Sequence, residues 1–113
     1  MQVFEVLSED KLNVGDEVTI EGIFVMERGV GYFVQSKAQR AEKASAVMVD
    51  YPGLEKHLLS TVPSYGGSAY SYCDDAIITG TLKTSPRSEF PIAIEGIHNF
   101  VIHMFGETMV AIS

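Results

Sequence analysis

The sequence predicts an all-β domain with one helix: a five-stranded antiparallel barrel in the order β-β-β-α-β-β, with an extra C-terminal strand. Three observations predict it. Twelve Val, nine Ile and six Thr make up about a quarter of the 113 residues, and these β-branched side chains fit a pleated, half-buried surface. The apolar stretches are short and separated by Gly, Pro and Ser clusters. One segment alone, 52–62, carries apolar residues at helical spacing. With 46% hydrophobic and 20% charged residues and no tandem repeat, the chain reads as a single domain, 1–113, whose core needs no staples.

The elements follow in order. After the turn signal Asn13-Val14-Gly15-Asp16, residues 17–27 alternate Val18, Ile20, Gly22, Phe24 and Met26 with Thr19, Glu21, Ile23 and Val25, which predicts a long first strand. Its second half is apolar on both faces, and Gly22 is where a barrel strand bends. Arg28-Gly29-Val30-Gly31 supplies a hairpin turn, and Tyr32–Val34 the second strand. Segment 37–44 is charged and small, a loop or a single helical turn. Ala46–Asp50 is a third strand, apolar and buried on both sides. In the helix 52–62, Pro52 suits the first turn, Leu54, Leu58 and Leu59 share a stripe, and Pro63 stops it. Residues 63–75, PSYGGSAYSYCDD, read as a loop. Ala76–Lys83 and Ile92–Met104 are the fourth and fifth strands, and a hairpin through Gly106-Glu107 returns Met109–Ile112 as the extra strand.

Charge decides among partners. Fifteen acids against eight bases give a net charge of −7 and a pI near 4.8, which repels polyanions and attracts basic proteins. The distribution is uneven: residues 1–27 net −6, residues 28–43 net +3 and residues 44–113 net −4. Any phosphate contact has to start in that short basic segment.

Three strands, a helix and two strands, with glycine-centred first and fourth strands, resemble the OB-fold. The residues that carry the resemblance are VGDEVTIEGIF at 14–24, GYFVQS at 31–36, AVMVD at 46–50 and DAIITGTL at 75–82. They are similar to the strands of anticodon-binding-type OB domains, over roughly residues 14–104. The resemblance implies a binding face on the second and third strands, framed by the loops after the first, second and fourth. It puts Arg28, Tyr32, Lys37, Arg40 and Lys43 near that groove, with Lys83 and Arg87 opposite. A reader of single-stranded nucleic acid needs aromatic platforms and backbone-tracking cations, and Tyr32 and Phe33 point to opposite faces, so only one can be a platform.

His57, Cys73, Asp74, Asp75, His98 and His103 show no C-x-x-C or H-x-x-x-H spacing, so no metal is expected. Cys73 has acids beside it, which raise a thiol pKa rather than activate it, and a lone cysteine fits a reducing compartment. Asp74-Asp75 can share a proton at a hydrolytic site, but a solvated turn is the commoner use of such a pair. No phosphate loop, nucleophile elbow or dinucleotide fingerprint occurs, so neither enzyme activity nor a cofactor is expected. The opening MQVFEVLSEDKLN has acids where a secretory leader places bases, and no apolar run approaches the roughly 18 residues of a membrane span. The expectation is a cytoplasmic protein without membrane contact.

Tyr65, Tyr70 and Tyr72 among Gly and Ser resemble the composition of protein-binding loops, and Asp74 and Asp75 ring them with charge. Set against this is a loop that simply packs over the barrel end. The functional expectation is a non-enzymatic module that binds a basic protein partner, of the immunity-type or antitoxin-like inhibitor class, through Tyr65, Tyr70, Tyr72, Asp74 and Asp75. The alternative is an OB-type binder of single-stranded nucleic acid using segment 28–43.

Overall fold

The first two strands, β1 (Glu17–Glu27) and β2 (Val30–Val34), form a hairpin with Glu27 opposite Val30. A two-residue loop of this kind requires positive φ at both central positions, and Arg28 and Gly29 adopt φ 53° and 80°. β3 (Val47–Val49) follows, then helix α2 (Leu54–Thr61), β4 (Tyr70–Lys83), β5 (Ile92–Met104) and β6 (Glu107–Ile112). A six-residue helix, α1 (Val3–Ser8), precedes β1. The structure, a computed structural model, describes residues 1–8, 13–63 and 69–113.

The strands form one sheet in the order β3-β2-β1-β4-β5-β6, and β3 also pairs with β5, which closes five of them into a ring. Helix α2 lies in sequence between β3 and β4, and β6 adds to β5 outside the ring, the architecture expected. One seam of the otherwise antiparallel barrel runs parallel, β3 with β5. Neighbours cannot alternate in direction all the way round a ring of five, so one pair must run the same way.

Even-numbered residues of β1 and β4 point into the barrel. Val18, Ile20, Val47, Val49, Ile78 and Leu82 are all buried, as the alternation predicts. Phe24 sits at the centre, its ring 5.0 Å from Phe100, 5.7 Å from Phe33 and 6.0 Å from Tyr72. At Gly22 a side chain would meet Val34 O and Val3 Cγ2 at 2.8 Å. Its absence lets β1 bend against β2 and lets α1 seat Val3 and Val6 in the core.

A second apolar cluster lies on the outside of the barrel: Ile23, Val25, Tyr32, Val34 and Met48, closed over by Ala46, Phe90 and Ala93. Two short 3-10 turns, Lys37–Gln39 and Lys43–Ser45, run across it. The Tyr32 hydroxyl donates to Arg40 O (2.6 Å), and its ring lies 5.2 Å from that of Phe90.

Several expectations are corrected. The loop proposed for 63–75 ends early, because β4 begins at Tyr70 and its first residues pair with the apolar second half of β1, Met26 opposite Tyr72 and Val25 opposite Cys73. Cross-strand pairing there overrides the loop-like composition. The helix spans 54–61 rather than 52–62: Gly53 precedes it at φ 73°, and Pro52 stands outside. Leu59, placed on the buried stripe, is exposed, while Leu54 and Leu58 are buried.

Candidate protein-binding face

Odd-numbered residues of β1 and β4 point away from the barrel interior. Where the second cluster does not cover them, they form an open sheet face with β5 and β6. The register lays it out in rows: Thr19, Thr79 and Asn99; then Glu21, Ile77, Val101 and Val110; then Ile23, Asp75, His103 and Thr108. The middle row is an apolar band across β4, β5 and β6, with Val110 55% exposed and Ile77 and Val101 partly so. Glu21 ends that row, and Asp75 and His103 flank it, all three exposed.

The charge of these strands is one-sided. β1, β4, β5 and β6 hold Glu17, Glu21, Glu27, Asp74, Asp75, Glu95 and Glu107 against one cation, Lys83. Lys83 is already engaged, its ammonium 2.6 Å from Asp50 and 3.5 Å from Glu95, and the Asp50 hydrogen bond raises its pKa. Thr19 and Thr79 share a 2.8 Å hydroxyl contact, and His103 Nδ1 lies 3.0 Å from Thr108 Oγ1. Glu21 and Asp75 make the face acidic, and its other polar groups are tied to one another.

A cavity of about 240 Å³ opens at one end of the face, lined by Glu21, Asp75 and His103, by Gln2 and Gln35, and by Ile23 and Ile77. The wall with the glutamines is fixed by hydrogen bonds. Phe4 N–H donates to Gln35 Oε1 (3.0 Å), the Gln35 amide donates to Gln2 Oε1 (2.7 Å), and Glu21 N–H donates to Met1 O (2.8 Å).

The sequence-predicted residues scatter across the molecule. Tyr65 lies outside the described residues. Tyr72 is corrected from surface anchor to core: fully buried, it donates its hydroxyl to Val62 O (2.8 Å), and burial raises its pKa. Its even parity on β4 turns it inward, and Asp74 shares that parity and is buried too. Tyr70 is half-buried, with the Arg40 guanidinium 5.6 Å from its ring centre. Of the four described residues, Asp75 alone stands on the open face.

Tyr32 is likewise corrected as a stacking platform. It is fully buried, and its pKa is raised well above that of a free phenol, first by desolvation and then by nearby Glu27. Arg28, Lys43 and Arg87 do share a groove beside the β1–β2 hairpin, but Glu27 and Glu89 line it as well. Lys43 pairs with Glu27 (3.4 Å) and Arg87 with Glu89 (3.7 Å). Arg40 donates to Lys37 O (3.0 Å) while its guanidinium faces Tyr70. Lys37 and Arg40 lower the Cys73 pKa, but burial outweighs them and leaves that thiol raised, opposite to an activated nucleophile.

Sequence reasoning missed Gln2, Gln35, Ile77, Val101, His103 and Val110. The alternation of Glu17, Thr19 and Glu21 was legible, but which strands extend that face depends on register. Among the described residues no group of three or more His, Cys, Asp or Glu side chains is placed to hold a metal ion, and no helix is long and apolar enough to cross a membrane. Protein-family models, curated proteins and solved structures all lack a match to this chain.

Proposed function

We propose that this chain is a non-catalytic binding module that docks a basic protein partner on the open face of β1, β4, β5 and β6. The observation that carries the reading is the pairing of an apolar row, Ile77–Val101–Val110, with Glu21 at its end and Asp75 beside it, on strands whose one cation is already neutralised. Glu17, two rows along β1, extends the acidic edge and lies 3.2 Å from His98. Apolar surface supplies the affinity of such a contact, while one-signed charge speeds approach and rejects acidic competitors. An inhibitor of the immunity or antitoxin type, covering a basic active site, is the kind of protein this face suits. The barrel is taken as an OB-fold of the anticodon-binding type on the strand order, the helix position and the motifs at 14–24, 31–36, 46–50 and 75–82.

The test is retention of basic proteins from the native cell extract on immobilised chain. A Glu17→Gln, Glu21→Gln, Asp75→Asn variant should lose them. A variant with the same number of neutralised carboxylates elsewhere, Glu42→Gln, Glu55→Gln, Glu89→Gln, should keep them. Equal retention by both variants would place the contact off this face.

A second reading rests on the groove that Arg28, Lys43 and Arg87 share beside the hairpin, where OB barrels hold oligonucleotides. Its cations are offset by Glu27 and Glu89, so single-stranded binding should be weaker than about 10 micromolar at physiological salt, the non-specific range. Nanomolar affinity that falls on Arg28→Ala and Arg87→Ala would reverse the order of the two readings.

A further inference from the structure

The cavity at the end of the open face has the chemistry of a socket for one side chain of the partner. We infer that it receives an arginine, whose guanidinium bridges Glu21 and Asp75 while its methylenes lie along Ile23 and Ile77. This rests on the reading of the open face as a docking surface and names the anchor on which that surface turns.

Four features argue for it. Glu21 stands opposite Ile77 and Asp75 opposite Ile23, so the two carboxylates are diagonal neighbours on adjacent strands, about 7–8 Å apart at the backbone. A planar fork with donors on two edges spans such a pair, whereas an ammonium is a point charge that satisfies one carboxylate at a time. The volume, about 240 Å³, far exceeds the roughly 10–15 Å³ of such space that one water needs and leaves room for a side chain. The lining combines carboxylates with two isoleucines, matching an arginine's charged head and apolar stem.

The fourth feature is preorganisation. Gln2 and Gln35 hold each other, α1 clamps Gln35 through Phe4 N–H, and the Met1 carbonyl receives Glu21 N–H, so the wall is built before a ligand arrives. Less ordering then remains to oppose binding. Among the described residues no Lys or Arg side chain lines the cavity. His103 completes the rim and bonds sideways to Thr108.

The test is a titration of nitrogen-labelled chain with N-acetyl-arginine amide, followed by backbone amide shifts, beside N-acetyl-citrulline amide and N-acetyl-lysine amide. Arginine amide should give saturable shifts confined to Gln2, Glu21–Ile23, Gln35, Asp75–Ile77 and His103. The neutral citrulline analogue should give none, and lysine amide should bind more weakly than arginine amide. Glu21→Gln or Asp75→Asn should weaken the arginine response at least tenfold, each variant being checked for a native amide spectrum. Ile77→Phe, which fills the cavity and keeps every carboxylate, should abolish it. Shifts that do not saturate, that citrulline amide reproduces, or that survive Ile77→Phe would overturn the socket. If basic proteins are still retained by the parent chain and released by the triple carboxylate variant, the docking face stands and only the socket falls. If neither experiment responds, both fall together.

Discussion

The two outer faces of this barrel have opposite fates. On β1–β2–β3 the outward residues Val25, Tyr32 and Val34 are fully buried, closed over by the 3-10 turns and by Phe90. On β1–β4–β5–β6 the outward residues Glu21, Asp75, His103 and Val110 stand open. The covered face is the one an OB barrel would use for a ligand. Its covering segment carries the chain's one basic stretch, and Arg40 and Lys43 there engage Tyr70 and Glu27. The basic segment thus fastens the cover, and the acids are left to face the surroundings. A patch of positive sequence is no evidence of an anion site until the partners of its cations are known.

The sharpest way to break the contrast is truncation. Tyr32→Ala removes a fully buried ring that packs on Phe90 and a hydroxyl that holds Arg40 O, and should cost about 3–4 kcal/mol in chemical denaturation. Val110→Thr on the open face should change stability by less than about 0.5 kcal/mol. A small effect at Tyr32 would show that the cover is loosely held and that the two faces do not differ as described.

A second contrast is in pH. Burial raises the phenol pKa of Tyr32 and Tyr72, and the thiol pKa of Cys73. These groups ionise more readily in the unfolded chain, near pH 10 for tyrosine and about 8.5 for cysteine. The stability they contribute is complete below those values and is lost as pH rises through the raised native ones. Unfolding free energy should begin to fall above about pH 8.5 and fall more steeply above about pH 10, and Tyr32→Phe should flatten the steeper part, with phenolate absorbance of the native protein rising late. A native spectrum in which Tyr32 and Tyr72 ionise like free phenols would contradict their burial.

These buried tyrosines also mark the limit of what the sequence discloses. Period-two patterning in its first half located β1 at its observed bounds, and β5, rich in β-branched residues between the turns at 85–88 and 106–107, also has the bounds expected. The start of β4 was hidden: Tyr-Ser-Tyr-Cys-Asp-Asp has the composition of a loop, and it becomes strand through pairing with β1, a partner more than forty residues away in sequence. Helix α1 has only six residues, too few for periodicity, and is held by Val3 and Val6 entering the core beside Gly22. Tyr32 and Phe33 were read correctly as pointing to opposite faces, but both of those faces are covered, which local sequence does not reveal. The candidate site failed for the same reason. Asp75 lies on the open face, while its neighbours Glu21, Gln35 and His103 meet it only through register and tertiary contact.

The smallest expected effect concerns the Lys43–Glu27 pair at the edge of the covered face. The two side chains are 3.4 Å apart and remain 34% and 23% exposed, so solvent and salt screen them. Lys43→Ala should therefore cost less than about 1 kcal/mol, and a double-mutant cycle with Glu27→Ala should return a coupling of the same order that shrinks in high salt. If aromatic packing of Tyr32 on Phe90 and the Tyr32 hydrogen bond to Arg40 O hold the cover, removing one exposed ion pair leaves it in place. A coupling above about 2 kcal/mol, insensitive to salt, is the scale of a desolvated pair. It would mean that charge rather than packing fastens the segment, and that its displacement by a competing polyanion is within reach of the nucleic-acid reading.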